Sequence, residues 1–315
     1  MRPTIAPEKI LRELNDLWAQ LDAERGAQGG VLRACSMTLV AVAESAGDVA
    51  QVRETLGEIM HDHPCRAVIV NPDVSPDEEI AAQVFAQCRA PAEGHQQQIC
   101  SEGIEIAAAP AQFEELAKAM IPLRVSDLPL MVWCRGSRPF SLRVFEHLFA
   151  IADKSIFDSS AAPSARAAQD FLRGLRRRGY RVADLHWTRL TGWREIIYHL
   201  FDRQLRASQV TTARVRYGGA EPSSCALYLA SWIGQALPSA RVILEAAEGE
   251  YGVAGVVFST PEGEVSIQRG EPGAVIISGK DGRYRVWLPP TDEASLMREE
   301  LKILGADPVF ERVLG

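Results

Sequence analysis

Residues 33 to 203 alternate between short apolar runs and segments with helical spacing, and that alternation constrains the fold more than any other feature of the chain. LRACSMTLVAVA reads as extended, DVAQVRETLGEIMHDH as helical, and RAVIVN as a short apolar strand of the kind buried in a parallel sheet. QQQICSEGIEIAA follows, with Ile99, Ile104 and Ile106 among polar residues and Gly103 marking a bulge that shifts the alternation. Next come helix QFEELAKAMIPL, strand LPLMVW, helix SLRVFEHLFAIA, strand KSIFD, helix SARAAQDFLRGLRRRG, strand YRVADL and helix TRLTGWREIIYHLFD. Parallel strands need crossovers and helices are the usual ones. The pattern therefore implies an α/β domain over residues 31–203, built on a mostly parallel, Rossmann-like sheet with helices on both faces. Ligands of such sheets sit beyond the carboxyl ends of the strands.

Two further segments flank this domain. Pro7 can open a helix, and Ile10, Leu14, Leu17 and Leu21 then recur at helical spacing, so residues 1–30 read as an amphipathic helix followed by a Gly-rich linker, GAQGG. That apolar stripe packs either on its own protein or on another chain. Residues 204–315 read as a second, α+β domain with a mainly antiparallel sheet: strand VTTARVRYGG, helix PSSCALYLASWIGQAL, then the short strands RVILEAA, GVAGVVFST, GEVSIQRG, GAVIISG and RYRVWLPP. Lys280-Asp281-Gly282 suits a hairpin turn, and a terminal helix, DEASLMREELKIL, is expected to cover one face of that sheet.

At 315 residues, with 47% hydrophobic and 24% charged residues, the chain has the composition of a soluble globular protein of two domains. A net charge of −7 argues against a sequence-independent grip on nucleic acid, which needs a surplus of Lys and Arg. No segment approaches the roughly eighteen consecutive apolar residues of a membrane span, and the first thirty residues lack the pattern of a secretory leader, so a cytoplasmic location without membrane contact is expected. The six cysteines are scattered without a C-x-x-C and are expected to be reduced.

Signatures of common chemistry fail on inspection. His61 and His63 in HDHPCR have no third ligand nearby, so no metal site is expected. GAVIISGKDG mimics a phosphate loop, but Gly273 and Gly279 are one residue too far apart and Asp281 stands where Ser or Thr should hold magnesium. Neither a G-x-G-x-x-G after a strand nor a G-x-S-x-G elbow occurs, and no cofactor is expected. RGLRRRGYR carries five arginines at a helix end, which reads as a solvated face or a contact for an acidic partner. Three polar clusters remain. Ser126 and Asp127 precede the strand that contains Trp133. Asp158, Ser159 and Ser160 follow the strand KSIF, and Asp184, His186, Trp187, Thr188, Arg189, Trp193 and Arg194 surround the start of a helix. Together they read as a pocket or partner surface, with Arg194 as anion partner and the tryptophans as walls. The bland alternative is that Asp and Ser cap helices and the tryptophans are core. No nucleophile is paired with a base, so no catalytic residue is nominated.

These clusters, read in order, resemble the OpcA family, the glucose-6-phosphate dehydrogenase assembly proteins. The segments that carry the resemblance are HPCRAVIV, CSEGIEIAA, PLRVSDLPLMVWCRG, ADKSIFDSS and ADLHWTRLTGWREIIYHLFD, with LYLASWIGQAL a looser match beyond them. The chain departs from the family pattern at Gly192, where Pro is expected, and at Arg124, where an apolar residue is more usual. The resemblance implies a protein that is no enzyme, binds glucose-6-phosphate dehydrogenase, promotes its active oligomer and so favours NADPH production in the oxidative pentose phosphate pathway. The residues themselves leave a different class open: a cytoplasmic enzyme or sensor for a sugar phosphate or nucleotide sugar, a small anionic metabolite held by Asp127, Asp158 and Arg194.

Overall fold

The computed structural model describes residues 6–25, 31–89, 98–203, 205–249, 252–280, 282–289 and 291–315, so the GAQGG linker and Asp281 of the expected hairpin turn lie outside the described residues. The chain begins α1 (Pro7–Arg25), β1 (Val31–Arg33), β2 (Thr38–Val42), α2 (Val49–Asp62), β3 (Arg66–Asn71), β4 (Ala81–Arg89) and β5 (Gln98–Ala107). It continues with α3 (Phe113–Leu123), β6 (Leu130–Cys134), α4 (Glu146–Phe149), β7 (Lys154–Phe157), α5 (Ala165–Arg177), β8 (Val182–Asp184), α6 (Leu185–Thr188) and α7 (Thr191–Arg203). The remainder is β9 (Thr212–Gly218), α8 (Ser224–Ala236), β10 (Arg241–Ala246), β11 (Gly252–Thr260), β12 (Gly263–Arg269), β13 (Ala274–Gly279), β14 (Gly282–Trp287), α9 (Glu293–Glu300) and α10 (Pro308–Leu314). None of the described helices is long and apolar enough to cross a membrane.

Two compact units result, and the chain passes between them repeatedly. The first holds Met1–Ala161, Leu175–Ala183 and Glu293–Ala306; the second holds Ala162–Gly174, Asp184–Asp292 and Asp307–Gly315.

In the first unit the sheet order is β1-β5-β3-β2-β6-β7-β8, with β4 added antiparallel on β5. The pairings β1·β5, β5·β3, β3·β2, β2·β6 and β6·β7 are all parallel, as the alternation of strands and helices implies. β2 and β6 are buried along their whole length, which only a sheet covered on both faces allows. The expected helix SLRVFEHLFAIA shrinks to a 3-10 turn, Arg143–Phe145, followed by the single turn of α4.

Three expectations are corrected here. First, β4 is an additional strand absent from the expected pattern; it lies antiparallel to β5 in register, with Cys88 opposite Cys100, and those two cysteines form a disulfide rather than remaining reduced. The pairing follows from placing both residues at facing positions of one ladder, which cannot be seen without β4. Second, Gly103 marks no bulge. The β4–β5 register is regular there, and the glycine is needed because the Phe85 ring of the facing strand would lie 2.1 Å from a Cβ at that position. Third, α9 does not cover the antiparallel sheet. It belongs to the first unit, where it packs on α2 and where Lys154, 1% exposed, donates from its ammonium to the Glu300 carboxylate at 2.7 Å and to the Glu300 carbonyl at 3.2 Å.

α1 packs on its own unit. Ile10 and Leu14 are buried, each contributing about 1.5–3 kcal/mol of apolar transfer free energy. The Trp18 indole N–H donates to Glu102 at 2.7 Å. Glu102, 2% exposed, stands directly across from Arg66 in the β5–β3 ladder and also accepts from Arg66 Nε at 2.6 Å and Arg33 Nη2 at 2.8 Å. One carboxylate thus ties the first helix, the edge strand β1 and the centre of the sheet.

In the second unit the sheet order is β10-β9-β11-β12-β13-β14. β10 and β9 are parallel, because α8 forms the crossover between them, and every other pairing is antiparallel. Val256, Phe258, Val265, Ile267, Val275 and Ile277 share the buried face, against which α7 packs through Phe201, edge to face with Phe258 at 5.1 Å, and α8 packs across β9, β10 and β11.

Burial alone would raise the Glu102 pKa, but the N–H donors of Trp18, Arg33 and Arg66, with the charge of Arg66, outweigh it and hold the carboxyl below its usual value. A depressed folded-state pKa contributes stability that is complete above the unfolded value of about 4.3 and is lost as pH falls through the folded value. We expect the urea midpoint to drop on acidification from pH 5 downwards. Glu102→Gln should lose part of that acid dependence and be about 3 kcal/mol less stable at pH 7, because Arg66 stays buried without its counter-charge.

Candidate functional site

In a sheet of this order the strand sequence reverses direction between β2 and β6, and the crevice beyond their carboxyl ends is where doubly wound folds bind ligands. The residues that fill this crevice come from three distant parts of the first unit. The turn from β2 to α2 supplies Glu44 and Asp48, the end of β6 leads into Arg135-Gly136-Ser137, and the start of α9 supplies Glu293.

Arg135 is the centre of the arrangement. Its guanidinium makes a two-pronged contact with Glu293, Nε to Oε1 and Nη2 to Oε2, both at 2.9 Å, and its remaining nitrogen pairs with Asp48. The same group lies 5.5 Å from the centre of the Trp133 ring. Burial on its own would lower the Arg135 pKa, and the paired carboxylates of Glu293 and Asp48 more than offset it, so the charge is held firmly. Beside this clamp the Glu44 carboxylate accepts from the Ser137 backbone N–H at 3.2 Å, and the Glu44 N–H donates to Asp48 at 3.1 Å. Gly136 has a φ of 73°, and a Cβ there would fall 2.4 Å from the Glu44 carboxyl carbon, so glycine is required on both counts. The crevice therefore holds three carboxylates and one guanidinium, with Glu44 in the first strand-to-helix turn, where a phosphate-binding fold keeps glycines.

The residues nominated from sequence are placed as follows. Cys134 pairs with Phe157 across β6 and β7, so Asp158, Ser159 and Ser160 leave the same sheet edge as Arg135. There Asp158 accepts the Ser160 N–H at 2.8 Å in a local turn, and Ser159 is buried. Ser126 and Asp127 lie before β6, at the opposite edge of the sheet, on an exposed turn closed by the Leu128 N–H donating to the Val125 carbonyl at 3.3 Å. Asp127 has a φ of 62°, the left-handed conformation that favours glycine. Trp133 is fully buried in the sheet, and its indole N–H has no acceptor among the described residues.

The remaining four residues belong to the second unit, where they are packed. Trp187, 2% exposed, donates its indole N–H to Asp307 at 2.7 Å, stacks on Phe310 at 5.7 Å and carries the Arg194 guanidinium 3.8 Å above its ring. Arg194 also donates to the Thr191 hydroxyl at 3.0 Å, and Arg189 donates to the Thr291 carbonyl at 2.9 Å. Trp193 is 3% exposed under Arg269, and Leu288 fills the space over Gly192, the position where the sequence departs from the family pattern. Asp184, completely buried, accepts from the Tyr228 hydroxyl at 2.7 Å and the His186 N–H at 3.0 Å; burial and then the Asp184 charge push the Tyr228 pKa well up. These tryptophans therefore anchor α10 and the core of this unit.

Two shallow grooves run along α2. One, of about 480 Å³, is lined by Glu54, Glu58, His61, Asp62, Gln87 and Arg298; the other, of about 760 Å³, by Val49, Arg53 and Phe85 among others. None of the ten nominated residues lines either groove. His61 pairs with Asp62, whereas His63 bonds the Arg298 carbonyl at 2.9 Å, so the two histidines do not converge. Sequence reasoning missed Glu44, Asp48, Arg135 and Glu293. The only signal was Arg135-Gly136 at the end of an apolar strand.

Comparison with known proteins bears on this arrangement. The profile of the N-terminal domain of the glucose-6-phosphate dehydrogenase subunit family matches residues 57–176, and the profile of that family's C-terminal domain matches residues 180–314. Among curated proteins the chain is similar to the OxPP cycle protein OpcA of Nostoc punctiforme, 26% identical over 204 residues, which are 64% of this chain and 44% of that protein. It is likewise similar to the OpcA of Synechococcus elongatus, 28% identical over 229 residues, which are 69% and 51% of the two chains. The chain spans about half the length of these relatives. Among solved structures, an NAD-binding oxidoreductase from Klebsiella pneumoniae superposes with a TM-score of 0.51 at 11% identity, covering 89% of this chain and 94% of that one, a likeness of fold alone.

Two outcomes follow from the geometry. Arg135→Ala should lower the unfolding free energy by about 1–3 kcal/mol, between the values for exposed and buried pairs, since Asp48 and Glu293 lose their shared cation, and Arg135→Lys should recover only part of it because an ammonium cannot form the two-pronged contact; urea titration reads both. At Asp127, replacement by Gly should leave the midpoint unchanged or raised, whereas replacement by Val should cost about 1–2 kcal/mol.

Proposed function

The chain belongs to the OpcA family, and on that premise we propose that it is a non-catalytic partner of glucose-6-phosphate dehydrogenase, one that binds the dehydrogenase and promotes its active oligomer. The observation that carries this reading is the match of both family domains, in order, along most of the chain. By this action it raises the flux of glucose 6-phosphate into the oxidative pentose phosphate pathway and the formation of NADPH.

The electrostatics of the crevice support a non-catalytic role on a nucleotide-binding type of fold. A dinucleotide pyrophosphate seated at the β2–β6 crevice would meet the Glu44 carboxylate in place of glycine backbone, and the nearby cations are engaged, Arg135 by Asp48 and Glu293 and Arg138 by Asp73. Each repulsive contact of that kind costs binding free energy that the fold would otherwise supply. The residues of a metabolite pocket also stand apart: Asp127 and Asp158 lie at opposite sheet edges, and the Arg194 guanidinium is stacked on Trp187.

An effector needs no reacting groups. It must bind the active state of its partner more tightly than the inactive one, and each tenfold preference moves that equilibrium by about 1.4 kcal/mol. Moving a dehydrogenase from about 1% to about 99% active would take roughly a 10⁴-fold preference, about 5.5 kcal/mol.

Assay of NADPH formation against glucose 6-phosphate, with the dehydrogenase of the same source and a saturating excess of this chain, tests the proposal. We expect a fall in KM or a rise in kcat together with a larger sedimenting species, and no turnover by the chain alone. A dehydrogenase whose kinetics and mass are both unchanged would refute it.

A further inference from the structure

Within the second unit the helices cover one face of the six-stranded sheet. On the other face the register brings together Arg214 and Arg216 of β9, Glu245 of β10 and Glu264 of β12, and these pair among themselves: Arg214 with Glu264 at 2.7 Å, and Arg216 with Glu245 at 3.2 Å. The middle strands contribute Gly255, Val257, Ser266, Gln268, Ile276 and Ser278 to this face, most of them small or apolar. On the edge strand β14 the same face carries Arg283, Arg285 and Trp287 in a column, all exposed, with Arg285 reaching Glu271 at 3.2 Å.

Trp287 is the largest exposed apolar side chain among the described residues, at 65% exposure, whereas Trp133, Trp187 and Trp193 are buried. It is not loose. Gly273 has a φ of 80°, and a Cβ there would fall 2.4 Å from the ring, so the indole lies directly on that glycine's backbone. A fixed, exposed tryptophan beside arginines has the composition of an interface centre, where Trp, Tyr and Arg dominate binding.

We propose that this open sheet face, centred on Trp287, Arg283 and Arg285, is the surface that docks on the dehydrogenase, and that it fits an acidic patch with an apolar slot for the indole. The inference rests on the partner reading above. Charge selects the occupant: the chain carries a net −7, yet once the pairs with Glu245, Glu264 and Glu271 are set aside this face keeps a surplus of arginine, Arg241 and Arg283. Two copies of the face would repel each other, whereas an acidic partner is attracted.

The test uses the full chain and the intact dehydrogenase, with affinity measured by surface plasmon resonance and activation by the NADPH assay. Trp287→Ala should weaken binding at least about tenfold, and the double reversal Arg283→Glu, Arg285→Glu by more. Wild-type affinity should fall as salt rises from about 50 to 300 mM. Gln268, exposed on the same face, supplies a pair of variants that removes no packing: Gln268→Glu should weaken binding and Gln268→Lys should not. Variants that bind like wild type would overturn the docking face while leaving the effector reading intact. A wild-type chain with no affinity for the dehydrogenase would overturn both. A self-associated chain that dissociates on Trp287→Ala would overturn the proposal in favour of a second copy.

Discussion

The Arg135 clamp organises the first unit. A guanidinium at the end of β6 is shared by Asp48, at the start of α2, and by Glu293, at the start of α9, so three segments far apart in sequence meet at the reversal of the strand order. A half-buried cation with two counter-charges contributes little net stability relative to a well-packed apolar core, but losing either side leaves charge unpaired. Its main effect is specificity. α9 has to dock on this unit because only there does Glu293 find Arg135 and Glu300 find Lys154.

The same clamp changes what the fold can do. A doubly wound sheet ordinarily leaves its crevice open and lined by backbone N–H groups, ready for a phosphate. Here side-chain carboxylates and the chain's own returning segment occupy that place, and the protein keeps the scaffold while filling its binding position. What stays open is a different surface, the uncovered sheet face of the second unit, where fixed aromatic and basic side chains replace a concave pocket. The two features fit the function proposed above.

Much of the fold was legible because buried parallel strands leave a strong imprint. TLVAV, RAVIV and LMVWC are uninterrupted apolar or nearly apolar runs separated by helical periodicity, and each became a strand of the central sheet. β4 escaped notice because AAQVFAQCR is a half-exposed edge strand with sparse apolar residues, and missing it hid the Cys88–Cys100 pairing and the reason for Gly103. The candidate site was less legible for a related reason. Trp187 and Trp193 carry no mark in sequence that separates a pocket wall from a core residue, and only packing against Phe310 and Arg269 decides it. Arg135 stood in view within PLRVSDLPLMVWCRG, but its meaning depends on Glu293, 158 positions away, and no local pattern links the two.

The interleaving of the units has a consequence for how the chain comes to be folded. Lys154 finds its carboxylate partner, and Arg135 the second of its two, in the stretch Glu293–Ala306, so the first unit cannot complete itself while synthesis is still in the second unit's sheet. During that interval the buried Lys154 lacks its counter-charge and Arg135 has Asp48 alone, a state that closing a loop of this length resolves slowly. The first unit is thus obliged to remain unfinished until Glu293–Ala306 has been made, and the two units reach their final form together rather than in the order in which their strands are made.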